Sequence, residues 1–384
     1  MSYEILKRLF SVIAAAISFF FSTSLPFSGN EITVNPTVFE YGADTYCVVW
    51  ATSKKGTGFL RYTYDGVEKT IWDEELGIIK TDDTIHRVFV PKEELRDNDY
   101  CVGSQYVWFQ YAVGDAHKGK TIESERFHFR GVEKEDNIRI LCVSDIHQAE
   151  NRLHQSVEQL TYTPDMIALL GDVTSWMETK TQFTERLLGN AAYLSGSEIP
   201  VAYAKGNHET RGEFGAQMAR YLPLSTEGFY YTFDFGGLSA VVLDTVEYTD
   251  DQHEQFAGLS DFEAYRSKEW AWINTLRADD FTGKYKIVFT HIPGIQDNMG
   301  QNWATPFADM GFDIVIGGHL HTCKSWNKNQ IPIVSEGGIQ DDDFWIGQLR
   351  LNNGIIDLQV TNMAGECVYS FTIDRGACSE AYHF

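Results

Sequence analysis

Five short stretches of the chain hold side chains that can bind a cation. They are Asp145-Ile146-His147, Gly171-Asp172, Gly206-Asn207-His208-Glu209, His291-Ile292-Pro293 and Gly318-His319-Leu320-His321. Taken singly each is a common sight, because a glycine-rich turn carries surface histidines as readily as ligands and GD closes many strands. Taken together they supply imidazole nitrogens, carboxylates and one amide oxygen, the donor atoms of hard to borderline divalent ions. One ion uses three or four such groups. Seven good ligands are therefore enough for two ions that share a carboxylate.

What must position them is legible in the residues just before each. NIRILCVSD, DMIALLGD, IPVAYAKGNHE, KYKIVFTHIP and FDIVIGGHLH are apolar runs that each end in Asp, Asn or His. Such runs alternate with helical segments, which predicts layered α/β structure. In open α/β sheets ligand sites lie beyond the carboxyl ends of the strands, where five separate loops can face one volume. DFEAYRSKEWAWINTLRAD between them predicts an amphipathic helix with Phe262, Tyr265, Trp272, Ile273 and Leu276 on its inner face. Asn353-Gly354 between two alternating runs predicts a β-hairpin.

The ordered set DxH, GD, GNHE, HxP and GHxH, from Ile138 to Ser335, resembles the calcineurin-like metallophosphoesterase superfamily. The resemblance implies an α/β (α+β) domain of two packed β-sheets flanked by helices, with a dinuclear centre at their loop edge. It implies that Asp145, His147 and His321 hold a first metal, that Asn207, His291 and His319 hold a second, and that Asp172 bridges both. It further implies that His208 is the non-ligand histidine facing the leaving group and that Glu209 orients it. Arg211 lies close enough in sequence to donate to a phosphoryl oxygen, with a surface ion pair or a helix start as its other reading. The chemistry implied is phosphate-ester hydrolysis. Two cations about 3.5 to 4 Å apart acidify a shared water, supply hydroxide for in-line attack and polarise the phosphoryl oxygens. Purple acid phosphatases extend the GD motif to GDxxY and place ferric iron on that tyrosine. Here Ser175 stands at that position, so two divalent ions, Mn, Zn or Fe(II), are expected instead.

Residues 29–131 carry short alternating runs (TYCVVWAT, GFLRYTYDG, HRVFVP, YVWFQYAVGD, ERFHFRG), which predict a β-sandwich. Trp50, the GxxRYxxDG segment and the run Tyr106 to Val113 resemble the fibronectin type III-like front domain of purple acid phosphatases. A polar linker, Val132 to Asn137, separates it from a catalytic unit at 136–375. Residues 1–28 have the layout of an export signal, Lys7 and Arg8 before an apolar core from Leu9 to Phe21. An uncleaved segment 9–25 would be a membrane tether, and no nearby cysteine offers a lipid attachment. The chain is thus expected to be exported, secreted or periplasmic. Six cysteines form no metal-binding spacing; Cys47 with Cys101, and Cys367 with Cys378, are candidate disulfides.

A net charge of −23 over 384 residues argues against a nucleic-acid surface and leaves a small phosphate ester as the expected partner. Positive charge for that anion must come from bound cations. The front-domain resemblance favours a monoester, with a nucleotide or lipid-headgroup diester as the alternative. A surface adhesion protein with a vestigial phosphoesterase domain is the non-enzyme alternative. In EYTDDQHEQFAG, a polar stretch long enough to face substrate, His253 is the residue to watch, and Lys205 reads as a surface charge.

Overall fold

A computed structural model describes residues 29–110, 114–131, 134–224, 228–293 and 303–376. The export signal and tether expected within 1–28, and Cys378, lie outside the described residues. Among the described residues no helix is long and apolar enough to cross a membrane.

Two sheets pack face to face. In the first, Ile138–Val143, Met166–Leu169 and Val201–Tyr203 run parallel, and Phe344–Asn352 flanks them antiparallel. In the second, Leu238–Val242, Tyr285–Phe289, Ile314–Gly317 and Ile331–Ser335 run parallel, with antiparallel strands at both edges. These strands are buried on both faces, which is why they read as unbroken apolar runs. Ile140, Cys142, Ala168 and Leu170 of one sheet meet Phe233, Ala240, Ile287 and Ile316 of the other in the central core. Outer cores lie beneath helices: Leu153, Leu187 and Ala191 cover the first sheet, Ile273 and Phe307 the second. The hairpin forms as expected, with Asn353 and Gly354 both at positive φ (53° and 81°), the pair of values a tight two-residue turn requires.

The front part is a sandwich hinged on one long strand, Thr45–Tyr64. Its first half pairs with Ile32–Tyr41 and Asp83–Pro91, its second with Val67–Trp72 and Asn98–Gln110. Alternation sorts its side chains. Tyr46, Val48 and Trp50 enter the sandwich core, while Cys47, Val49 and Ala51 face the catalytic unit. Cys47 therefore points out of the sandwich, and both it and Cys101 are free thiols, against the expected bridge.

The junction between the two parts is packed. Ile32–Tyr41 continues the first catalytic sheet by pairing parallel to Val201–Tyr203 at Phe39 and Val201. Buried Lys92 pairs with Glu40 at 2.6 Å and donates to the Asp234 carbonyl at 3.2 Å. The described end of the expected linker is pinned too: Asp136 accepts from the Asn353 N–H at 2.7 Å and from the Tyr285 hydroxyl, and Gly237 N–H donates to the Lys134 carbonyl at 2.8 Å.

Candidate metal centre

The carboxyl ends of the parallel strands converge on one small volume, and backbone hydrogen bonds stitch their loops together. Asp145 N–H donates to the Gly171 carbonyl (3.0 Å), His147 N–H to that of Asp172 (3.2 Å) and Gly318 N–H to that of His291 (2.9 Å). The turns are tight enough that Asp145, His147, Asp172, His319 and His321 all take positive φ, 43° to 68°. Non-glycine residues rarely hold that conformation, and its cost is typically carried at functional sites. The left-handed backbone falls on His319 and His321, not on Gly317 or Gly318. Gly318 is needed for closeness: a Cβ there would lie 2.4 Å from Ser144 Oγ and 2.5 Å from Asp145 Oδ2.

The first ligand set is Asp145, His147 and His321, whose ligating atoms lie within 4.8 Å of one another. Asp145 is fully buried. Its Oδ2 accepts from Ser144 Oγ (2.6 Å) and His319 N–H (2.8 Å), while its Oδ1 has no hydrogen-bond partner. That orphan oxygen stands 3.3 Å from His321 Nε2 and 3.8 Å from His147 Nε2. The other ring nitrogens are directed outward, His321 Nδ1 at the Ile339 carbonyl (3.3 Å) and His147 Nδ1 at Ser175 Oγ (3.4 Å). Partners on Nδ1 leave Nε2 with its lone pair facing Asp145. Ser175 thus sits behind a ligand, away from the donor atoms.

The second set is Asp172, His291 and His319, joined by Asn207. His291 Nδ1 donates to the Leu170 carbonyl at 2.6 Å, so its Nε2 faces inward, 3.0 Å from both Asn207 Oδ1 and Asp172 Oδ2. His319 Nδ1 approaches Asn207 Oδ1 at 3.1 Å. Asn207 Oδ1 is thereby surrounded by lone-pair atoms alone. Asp172 Oδ2 also stands 3.7 Å from His147 Nε2, placing one carboxylate oxygen within reach of both sets. An orphan buried carboxylate oxygen and converging lone pairs fit divalent cations.

Electrostatics follow the same layout. Burial pushes the Asp145 carboxyl up, but His147, His291 and His321 outweigh it and hold it below the usual carboxylate range. Burial would lower His291, yet Asp172 raises it to about 10. Burial, then repulsion from His291, lowers His319 to about 4.

Of the three residues expected to act on the ester, two meet. His208 Nδ1 pairs with the Ser175 carbonyl (2.9 Å), and Arg211 Nη1 rests on its Nε2 (2.9 Å). Burial holds His208 below its ordinary value, with Asp172 opposing and Arg211 reinforcing the shift. Glu209 does not orient His208. Its buried carboxylate accepts instead from three backbone N–H groups, those of Asp172 (2.9 Å), Val173 (2.7 Å) and Gly206 (2.9 Å). His208–Thr210 forms a 3-10 turn, and at three residues per turn consecutive side chains diverge by about 120°. Glu209 is therefore a brace beneath the Asp172 loop.

Two further expectations change. Lys205 is buried and pairs with Asp244 at 2.9 Å. His253 caps a short turn through Gln255 N–H (3.3 Å) and is not among the clustered ligands. Helix Phe262–Ile273 turns Trp272 and Ile273 inward as the stripe predicts, with Leu276 just past its end on the same core and Tyr265 and Trp272 against Tyr230, and it buries Arg266 and Glu269 on the same face. Sequence reasoning missed Glu247, fully buried, which receives Arg211 Nη2 at 2.7 Å, and Tyr248, whose half-exposed ring meets the His319 ring edge at 5.3 Å. The signal was present: SAVVLD is a sixth apolar run ending in a carboxylate.

The clustered His and Asp side chains, with Asn207 and Arg211 beside them, form a candidate metal centre. Residues 138–323 match the family model described as calcineurin-like phosphoesterase. The protein is accordingly a metal-dependent phosphoester hydrolase. No curated protein matches it significantly by sequence. Among solved structures it is similar to PhoD at 12% identity and TM-score 0.58, covering 92% of each chain, a likeness of fold that includes the front sandwich. Weaker likenesses are GAP50, described as the anchor in the inner membrane complex of Plasmodium (12% identity, TM-score 0.43, 62% of this chain and 89% of that one), and phosphopantetheinyl hydrolase of Mycobacterium tuberculosis (12%, TM-score 0.35, 53% and 91%).

Proposed function

We propose that the protein is an exported phosphoesterase that binds two divalent transition-metal ions, Mn, Zn or Fe(II), and hydrolyses small phosphate esters, monoesters in preference to diesters. The observation that carries the two-ion reading is Asp172 Oδ2, which lies 3.0 Å from His291 Nε2 of one set and 3.7 Å from His147 Nε2 of the other. Bound there, a pair of divalent ions supplies Lewis acidity toward the phosphoryl oxygens and acidifies a water at neutral pH. Asp145, His147 and His321 hold one ion; Asn207, His291 and His319 hold the other.

The chain's own part is positioning and proton transfer. Asn207 contributes a neutral oxygen, which keeps the loaded site net positive despite the overall charge of −23. His208, its Nδ1 fixed on Ser175, presents Nε2 to the departing oxygen. Arg211 Nη1, resting on that nitrogen, can shift to a phosphoryl oxygen as a charge-assisted donor. The likeness of the sandwich to the front domain of purple acid phosphatases supports the monoester preference, and the signal-like segment 1–28 supports export.

Turnover of 4-nitrophenyl phosphate and bis(4-nitrophenyl) phosphate by the whole chain, with Mn2+ or Zn2+ and then with chelator, tests this reading. Monoester hydrolysis that chelator abolishes is expected. Faster diester hydrolysis would replace the monoester assignment, and no turnover of either ester with any of the metals would contradict the reading.

A further inference from the structure

Asn207 has two ways to sit, and the choice decides whether its site accepts a cation. With Oδ1 inward, it faces His291 Nε2 and His319 Nδ1, and its Nδ2 points to Glu247 at 3.3 and 3.5 Å. Turned over, Nδ2 donates inward to His319, His291 and Asp172, and Oδ1 accepts from Arg211 Nη2 at 2.8 Å. The second arrangement puts N–H groups where a cation belongs. Arg211 is the group that rewards it.

Glu247 opposes that arrangement from both sides. It is fully buried, and its Oε2 takes the Arg211 guanidinium through Nε (3.1 Å) and Nη2 (2.7 Å), so it draws one of the two Nη2 hydrogens and competes for the donor that the turned-over amide would use. The same carboxylate faces Asn207 Nδ2, and a carboxylate accepts a hydrogen bond but offers none to Oδ1. Its own place is fixed by Tyr248 N–H donating to Oε1 (3.0 Å) and by Arg266 Nη1 donating to its carbonyl (2.7 Å). Arg266 reaches that carbonyl from helix Phe262–Ile273, so a charged residue on the helix's inner face serves the site two layers away.

We propose that Glu247 is a positioning residue of the second metal set: by accepting from the Asn207 amide N–H it holds the amide with oxygen inward, and it competes with that oxygen for Arg211. The proposal rests on the two-ion reading above. A Glu247→Gln chain frees Arg211 and presents an amide where the carboxylate stood. Partners of metal ligands of this kind alter affinity about 10- to 100-fold when replaced.

Titration of the metal-free whole chain with Mn2+, followed by calorimetry and by electron paramagnetic resonance, tests it. The wild type is expected to bind two ions and give an exchange-coupled signal at two equivalents. Glu247→Gln is expected to keep the first ion within about threefold, weaken the second by about 10- to 100-fold, and give an uncoupled Mn2+ signal. Arg211→Ala in the same background removes the competitor and is expected to restore part of the second affinity. Two ions held with wild-type affinity by Glu247→Gln would overturn the proposal and leave the two-ion reading standing. Equal loss of both ions without rescue by Arg211→Ala would make Glu247 a fold residue and also overturn it. A wild type that binds only one ion would remove the two-ion reading itself.

Discussion

At His208, two hydrogen bonds decide which nitrogen serves the ester. Nδ1 is committed to the Ser175 carbonyl, and Nε2 carries the exchangeable contact from Arg211 and lies 3.8 Å from Asp172 Oδ2. His208 clusters with His147 and Asp172 closely enough to hold an ion, but the two-ion reading uses it as the acid and not as a ligand, so His208→Ala is predicted to retain wild-type metal content. Loss of a general acid is felt in proportion to leaving-group basicity and typically costs about 10²- to 10⁴-fold. Alkyl phosphates are therefore predicted to slow by about that factor and 4-nitrophenyl phosphate far less, measured as the leaving-group dependence of kcat/KM. Equal loss across esters would contradict the acid role. Glu209, its neighbour in sequence, shows where residue-level reading stops. Adjacency in GNHE says nothing of direction, and the turn sends the carboxylate to backbone N–H groups instead.

The elements were legible where polarity breaks an apolar run. NIRILCVSD and FDIVIGGHLH announce both a buried strand and a ligand loop, because a side chain that binds a cation must interrupt the hydrophobic sequence that buries its strand. Glu247 escaped notice because it lies beyond the strand end, inside a stretch whose polarity reads as a solvent loop, while in the fold Arg211 and Arg266 compensate its burial. Helix Phe262–Ile273 was legible in its apolar stripe and not in its buried charges. Periodicity counts apolar residues and finds Trp272 and Ile273, but the same face is also held by Arg266 on the Glu247 carbonyl and by Glu269 accepting from Asp244 N–H at 2.8 Å. The described part of the linker was polar for pairing: Asp136 meets Tyr285 and Asn353.

At the scale of the whole molecule, Asp83 joins the sandwich to the catalytic unit. It pairs with Lys180 and accepts from the Tyr221 hydroxyl at 2.7 Å, both across the junction. Burial pushes its carboxyl up, but Lys180, the Ile85 N–H and Tyr221 outweigh burial and lower it to about 2. A carboxyl lowered on folding stabilises fully above its unfolded value, about 3.9, and loses that contribution as pH falls through the folded one. Wild type is thus predicted to melt above Asp83→Asn at pH 6, with the difference in Tm shrinking between about pH 4 and pH 2. A difference that stays constant or grows on acidification would contradict this. With a net charge of −23, the central site would depend on bound cations to attract an anionic ester.

That dependence is tested most directly by anomalous X-ray scattering from crystals of the whole chain loaded with Mn2+. Two peaks on either side of the Asp172 carboxylate are predicted, one beside Asp145, His147 and His321, the other beside Asn207, His291 and His319. A single peak, or none at these residues, would contradict the account.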